Sequence, residues 1–135
     1  MAEDTEIFRA SLNRCLAVPG FLRTFYELFM SSSDEIRAKF KNTDFEKQTR
    51  VLADSLYLMA VAAQGERGSP AWAELSRLAK RHDRTELDVR PGLYDAWLDC
   101  LIQAARCHDP QFSAEVEQAW RNTLRDGIEH LRSRY

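Results

Sequence analysis

Apolar positions recur along this chain at intervals of three and four almost from end to end, the repeat of an α-helix with one buried face. Phe8, Leu12, Cys15 and Leu16 share a face of a first helix, which Pro19 and Gly20 interrupt. Phe21, Phe25, Leu28 and Phe29 make the apolar side of a second. Ser31, Ser32 and Ser33 break the pattern. Asp34 and Glu35 then suit the first turn of a short helix ending near Phe40, because acidic side chains favour the positive end of the helix dipole. A polar corner runs from Lys41 to Asp44. Thr43 and Glu46 have the spacing of a capping box, in which each side chain satisfies a free backbone N–H near the helix start. The long helix they would open reaches about Gln64, with Leu52, Leu56, Met59 and Ala63 on its stripe. After the loop Gly65-Glu-Arg-Gly68, Ser69 and Pro70 read as cap and first residue of another helix, striped by Leu75, Leu78, Ala79 and His82. Asp83 to Arg90 is polar and reads as irregular. Pro91 opens a helix carrying Tyr94, Trp97, Leu98, Leu101 and Ala105, which Asp109-Pro110 stops. Ser113 caps a last helix with Val116, Trp120, Leu124, Ile128 and Leu131 inside. The pattern predicts an all-α chain of six or seven helices and no strand.

A length of 135 residues fits one domain, 1–135, and excludes a two-domain enzyme. Charged residues make up 30% of the chain but nearly cancel, 19 basic against 21 acidic, so no nucleic-acid footprint is predicted. The start, Met-Ala-Glu-Asp-Thr-Glu, lacks the basic and then apolar character of a secretory signal. The longest apolar run, Leu56 to Ala63, is 8 residues, far short of the roughly 20 that a membrane helix needs. Three cysteines, Cys15, Cys100 and Cys107, are an odd number at no metal-like spacing, which suits unpaired thiols in a reducing cytoplasm.

His82 is the most informative residue. It sits seven positions after Leu75 on an apolar stripe and so points inward. A buried imidazole costs free energy unless its nitrogens find partners. One reading makes it a core histidine bonded to a carbonyl near a helix end. The other makes its neutral nitrogen the ligand of an iron held in an apolar cleft. His108 beside the Asp109-Pro110 break, and His130 among Glu129, Arg132 and Arg134, read as solvated. No Glu stands three positions before any histidine, so the carboxylate di-metal pattern is absent. Neither His-Glu-x-x-His, Gly-x-Ser-x-Gly nor a glycine-rich phosphate loop occurs.

Several stretches taken in order resemble the bacterial single-domain globins. Phe25-Tyr26 with Leu28-Phe29 looks like the second globin helix. Ile36 to Phe40 looks like the turn ending in the near-universal corner phenylalanine, and Gln48 to Leu52 like the distal stretch. Leu78-Ala-Lys-Arg-His82 looks like the proximal stretch, with the iron-binding histidine last. Val89, Pro91, Tyr94 and Trp97 look like the entry to the next helix, and Ala119-Trp120 like the start of the last. The likeness runs from about residue 5 to 132, with the segment between His82 and Tyr94 longer than the common bacterial pattern.

This resemblance implies a globin-like fold around one haem b (iron protoporphyrin IX), with the short fourth helix absent. His82 would be the metal ligand. Phe40, Leu52, Leu78, Val89, Trp97 and Tyr94 would touch the cofactor, with Leu124 and Ile128 as further lining or as ordinary core. Tyr26 and Gln48 would form a distal pair donating to a bound diatomic; without the resemblance they read as a core tyrosine and an exposed helix residue. Arg50 and Arg81 would reach the propionates, and Tyr94 or Glu129 would support the His82 imidazole. The implied function is reversible binding of dioxygen, and of nitric oxide or carbon monoxide, for storage, transport or sensing. The alternatives are haem redox chemistry, such as nitric oxide dioxygenation with an external electron donor, and a haem-free helical interaction module. The expected state is a monomer or homodimer without nucleic acid or membrane.

Overall fold

A computed structural model describes residues 2–135. Among them the chain forms seven helices: α1 (Ala2–Leu16), α2 (Phe21–Ser32), α3 (Asp34–Lys39), α4 (Phe45–Gln64), α5 (Pro70–His82), α6 (Leu93–His108) and α7 (Ala114–Ser133). The all-α expectation holds. Residues 40–44 join α3 directly to α4 with no further helix between them. None of these helices is long and apolar enough to cross a membrane.

Three helix starts differ from the sequence reading, each for a local reason. The cap of α4 is Asp44 rather than Thr43, because its carboxylate accepts from the Lys47 N–H at 3.3 Å. Glu46, the other half of the expected capping box, pairs along the helix with Arg50 at 3.6 Å instead. At α5, Ser69 precedes Pro70 as expected, but its hydroxyl caps nothing. The N–H groups of Trp72 and Ala73 go to the Ser69 carbonyl. Pro91 does not open α6. It lies in a tight turn, where Leu93 N–H donates to Arg90 and Tyr94 N–H to Pro91, and the helix proper begins at Leu93. Ser113 does cap α7, accepting from Val116 N–H at 3.2 Å.

The core joins α1 to α7, α2 to α6, and α7 also to α4 and α5. Trp120 is wholly buried, with the Phe8 ring edge-on at 4.8 Å. Its indole N–H donates to Ser11 Oγ at 2.9 Å, and that hydroxyl donates to Asp109 Oδ2 at 2.6 Å. Arg14 meets both oxygens of the same carboxylate, at 2.6 and 2.9 Å. Gln111 N–H adds a further bond at 2.9 Å. Asp109 therefore ties the end of α6 to α1 and, through Ser11, to α7. A buried carboxylate is tolerated only with this density of donors.

Helices α4 and α7 pack against each other at Gly127. A Cβ there would lie 2.9 Å from Met59 Cγ, so the absent side chain is what lets Met59 lie between the two helices.

Cys15, Cys100 and Cys107 are unpaired, the first two buried and the third exposed. Cys100 and Cys107 both lie on α6, roughly 10 Å apart along its axis, too far to bridge. Burial pushes the Cys15 thiol up to about 12 and also raises Cys100. Thiolate is the reactive form, so one thiol, Cys107, is expected to react rapidly in the native protein and all three only after unfolding. Titration with a chromogenic disulfide reagent measures both counts. A single thiol in the unfolded protein would reveal a disulfide.

Candidate functional site

Cavity and proximal histidine. The helices enclose a cavity of about 430 Å3, with walls from α2, α3, α4, α5, the following loop, α6 and α7. All eight contact residues that the resemblance implied, besides the histidine, lie in this wall. Tyr26 comes from α2, Gln48 and Leu52 from one face of α4, and Leu78 from α5. Phe40 closes the corner after α3, and Tyr94 and Trp97 are on α6. The eighth, Val89, comes from the loop, and His82 from the last turn of α5.

His82 is half-buried in this wall. Its Nδ1 lies 2.8 Å from the Leu78 carbonyl one turn earlier. A carbonyl only accepts, so Nδ1 carries the proton, and Nε2 is left as a lone pair with no partner among the described residues. Burial holds the imidazole's pKa below the ordinary histidine value, keeping it neutral. The carbonyl bond of the first sequence reading is present, and it leaves the other ring nitrogen unused. A neutral, oriented imidazole in an apolar cavity of this size fits an axially ligated haem.

Distal pair. Tyr26 is buried, and the Gln48 side chain lies close enough to its hydroxyl to act on its proton. Its ring packs edge-on against Phe40 at 5.5 Å and Phe45 at 5.4 Å. Burial pushes its hydroxyl up to about 12, against the opposing effect of Gln48, so the proton stays on. The site therefore holds a neutral donor on a clamped ring.

Rim. Arg81 and Lys39 line the cavity. Lys39 Nζ donates to the Leu87 carbonyl at 3.2 Å, and Arg90 pairs with Glu35, at 2.8 Å through Nε. Both contacts strap the loop after α5 to α3. That loop contains Asp88 at φ 52°, a left-handed conformation that aspartate tolerates better than most residues. The Tyr135 hydroxyl donates to the Asp88 carboxylate and so holds the loop from α7's end.

Some expected residues lie elsewhere. Arg50 is exposed, paired with Glu46, and absent from the cavity wall. Leu124 and Ile128 are buried in the core but do not line the cavity. Tyr94 does line it, yet its hydroxyl makes no bond to His82, whose Nδ1 is taken by Leu78. Glu129 is exposed and lies 3.8 Å from Arg132. His108 and His130 are not simply solvated: His108 is half-buried with Thr24 at 2.9 Å, and His130 with Ser76 at 3.0 Å and the Trp72 ring.

The sequence reading missed Met59, Ser55 and Lys39 as wall residues. Gln48, Leu52, Ser55 and Met59 continue one helical face, so extending the spacing from Gln48 would have found two of them. Nothing local marks Lys39.

A family model described as Globin matches residues 22–130. A solved structure from Pseudomonas aeruginosa PAO1, described as structurally highly homologous to a human hemoglobin, superimposes with a TM-score of 0.92. It is 38% identical, and the match covers 98% of each chain. None of the curated proteins matches.

Proposed function

The chain belongs to the globin family, and from that premise we propose that it holds one b-type haem through His82 and reversibly binds dioxygen and related diatomic ligands. The observation that carries the proposal is His82 on the wall of a mostly apolar cavity, its Nδ1 held by the Leu78 carbonyl and its Nε2 without a partner among the described residues. Haem supplies a ferrous iron with a position open to a diatomic ligand. The chain's own residues do the rest. The Leu78 carbonyl fixes the tautomer of His82 and raises its basicity. Phe40, Leu52, Leu78, Val89 and Trp97 exclude water, and Arg81 and Lys39 supply positive charge suited to the cofactor's carboxylates. The unpaired thiols support a reducing, cytoplasmic setting.

Tyr26 and Gln48 are the polar exception in this sheath. If the Gln48 amide donates to the Tyr26 oxygen, the hydroxyl proton remains available to the ligand. Bound dioxygen carries partial negative charge and gains from such a donor, whereas carbon monoxide gains less. Tyr26→Phe removes the hydroxyl and keeps the ring. A loss of about 1–2 kcal/mol corresponds to roughly 5–30-fold faster dioxygen release. Stopped-flow off-rates read this, with Gln48→Leu expected to shift in the same direction by less. A Tyr26→Phe rate within about twofold of the parent would make Tyr26 a core residue only. Spectra of the ferric, ferrous and carbon monoxide-bound protein test haem, ligation and open coordination together. A protein purified without absorbance in the Soret region, and failing to take up haem, would overturn the proposal.

A further inference from the structure

A second hollow adjoins the cavity that holds His82. The outer faces of α2 and α4, with the turn after α1, leave a surface groove of about 660 Å3. Tyr26 is the one residue, among those described, that lines both the groove and the cavity. Its neighbours along α2 divide between the two, Phe25 and Phe29 on the cavity and Leu22 and Met30 on the groove. On α4, Leu52 lines the cavity and Thr49 the groove. We propose that the seam between α2 and α4 is the route by which a small uncharged gas passes between solvent and cavity, with Tyr26 and Phe45 as its door. The proposal rests on the haem reading above, which gives the gas its destination.

The packing makes this seam the thin part of the wall. Helix α2 packs on α6 and α3 and scarcely on α4. What closes the gap is a triangle of rings. Tyr26 is edge-on to Phe40 at 5.5 Å and to Phe45 at 5.4 Å, and Phe40 and Phe45 lie 6.0 Å apart. Phe45 is only half-buried and borders the groove. A seam shut by side chains opens by rotamer changes, which are far faster than the parting of packed helices. Groove and ring barrier are mostly apolar, so an uncharged diatomic crosses at little desolvation cost and an ion at a high one. The cavity's rim at Leu87 is less suited to the gas. Leu87 is exposed there, but it lies beside Lys39, whose charge is assigned above to the cofactor's carboxylates. That side is taken by the cofactor, and the seam is left for its ligand. The Tyr26 ring that carries a donor for the bound gas thus also stands in its way out.

Carbon monoxide is the probe, with the whole haem-loaded chain. A door is crossed in both directions, so it changes association and dissociation by the same factor and leaves affinity alone. Thr49→Trp fills the groove beside the door and should slow both carbon monoxide rates about fivefold or more, whereas Phe45→Ala removes a ring of the door and should raise both by a similar factor. The two variants act in opposite directions, so one decides if the other fails to fold. Val61→Trp, exposed on the same helix and on neither wall, is the control that leaves both rates unchanged. Flash photolysis gives the association rates and displacement by nitric oxide the dissociation rates. Association within about twofold of the parent in Thr49→Trp and Phe45→Ala would place the route elsewhere and overturn the proposal. So would a changed affinity with only one rate moved, which would make these residues part of the binding site and not a door. A parent that takes up no haem would overturn the haem reading and this route together, an outcome that the Soret absorbance tells apart from failure of the route alone.

Discussion

Replacing His82 by alanine is expected to lower haem affinity by more than about 100-fold, beyond the range found when only the partner of a metal ligand is removed. The reason is that no other histidine lines the cavity among the described residues. His108 is engaged with Thr24 and His130 with Ser76, and neither lines the cavity. His108→Ala and His130→Ala should therefore retain haem like the parent. Transfer of haem to an excess of an apo-globin acceptor, followed by Soret absorbance, ranks all three variants on one scale. Full occupancy with an unchanged ferrous spectrum in His82→Ala would remove His82 as the axial ligand. The Leu78 carbonyl is main chain, so the orientation of His82 persists through side-chain changes at position 78. A variant there would alter the cavity wall without releasing the imidazole.

Asp109→Ala should lower stability by about 3–5 kcal/mol, the cost of breaking a buried ion pair from one side. Its carboxylate has no solvent exposure, and Arg14 is only 25% exposed. Truncation leaves Arg14 without its counter-charge, Ser11 Oγ without its acceptor and Gln111 N–H unpaired. Denaturant unfolding of parent and variant measures the difference, and a loss under about 1 kcal/mol would show that the network is dispensable. The same group predicts an acid dependence. Burial alone would raise the Asp109 pKa, but Arg14, Ser11 and the Gln111 N–H together hold it below the ordinary aspartate value. A depressed folded value stabilises the protein above the unfolded pKa of about 3.9, and that stabilisation is lost as pH falls below it. In Asp109→Asn this part of the acid dependence should disappear.

The helices were legible because each is written in local periodicity, and the breaks at Pro19-Gly20, Ser31–Ser33 and Asp109-Pro110 are local too. The wall residues on single helices, such as Leu52 and Gln48, followed from the same spacing together with the family resemblance. Leu124 and Ile128 share an inward stripe with the core of α7 but do not line the cavity, because periodicity separates inside from outside and not one part of the interior from another. Asp109 is the clearest omission. In the sequence it marks a helix stop, and that is correct, since α6 ends at His108. Its partners Ser11 and Arg14 lie 98 and 95 positions away, so no window of sequence shows that it is buried. Tyr94 illustrates the converse. Its place on the wall was legible, but its expected support of His82 was not realised, because Leu78 lies closer along the same helix.

The contact between Gly127 and Met59 has a consequence for how such a cavity changes size. Gly127 touches nothing inside the cavity, yet Met59 does line it, and a side chain added at 127 would press on Met59 Cγ. The closest atom is Cγ, near the root of the side chain, so either the whole Met59 side chain must take another rotamer or the two helices must move apart. Because Met59 also lines the cavity, bulk introduced on α7 bears on the chamber through this one side chain. Positions 59 and 127 act as a matched pair: a smaller residue at one accommodates a larger residue at the other. Reciprocal exchanges there would let divergent relatives or an engineered variant widen or narrow the chamber while leaving His82, Tyr26 and Gln48 untouched.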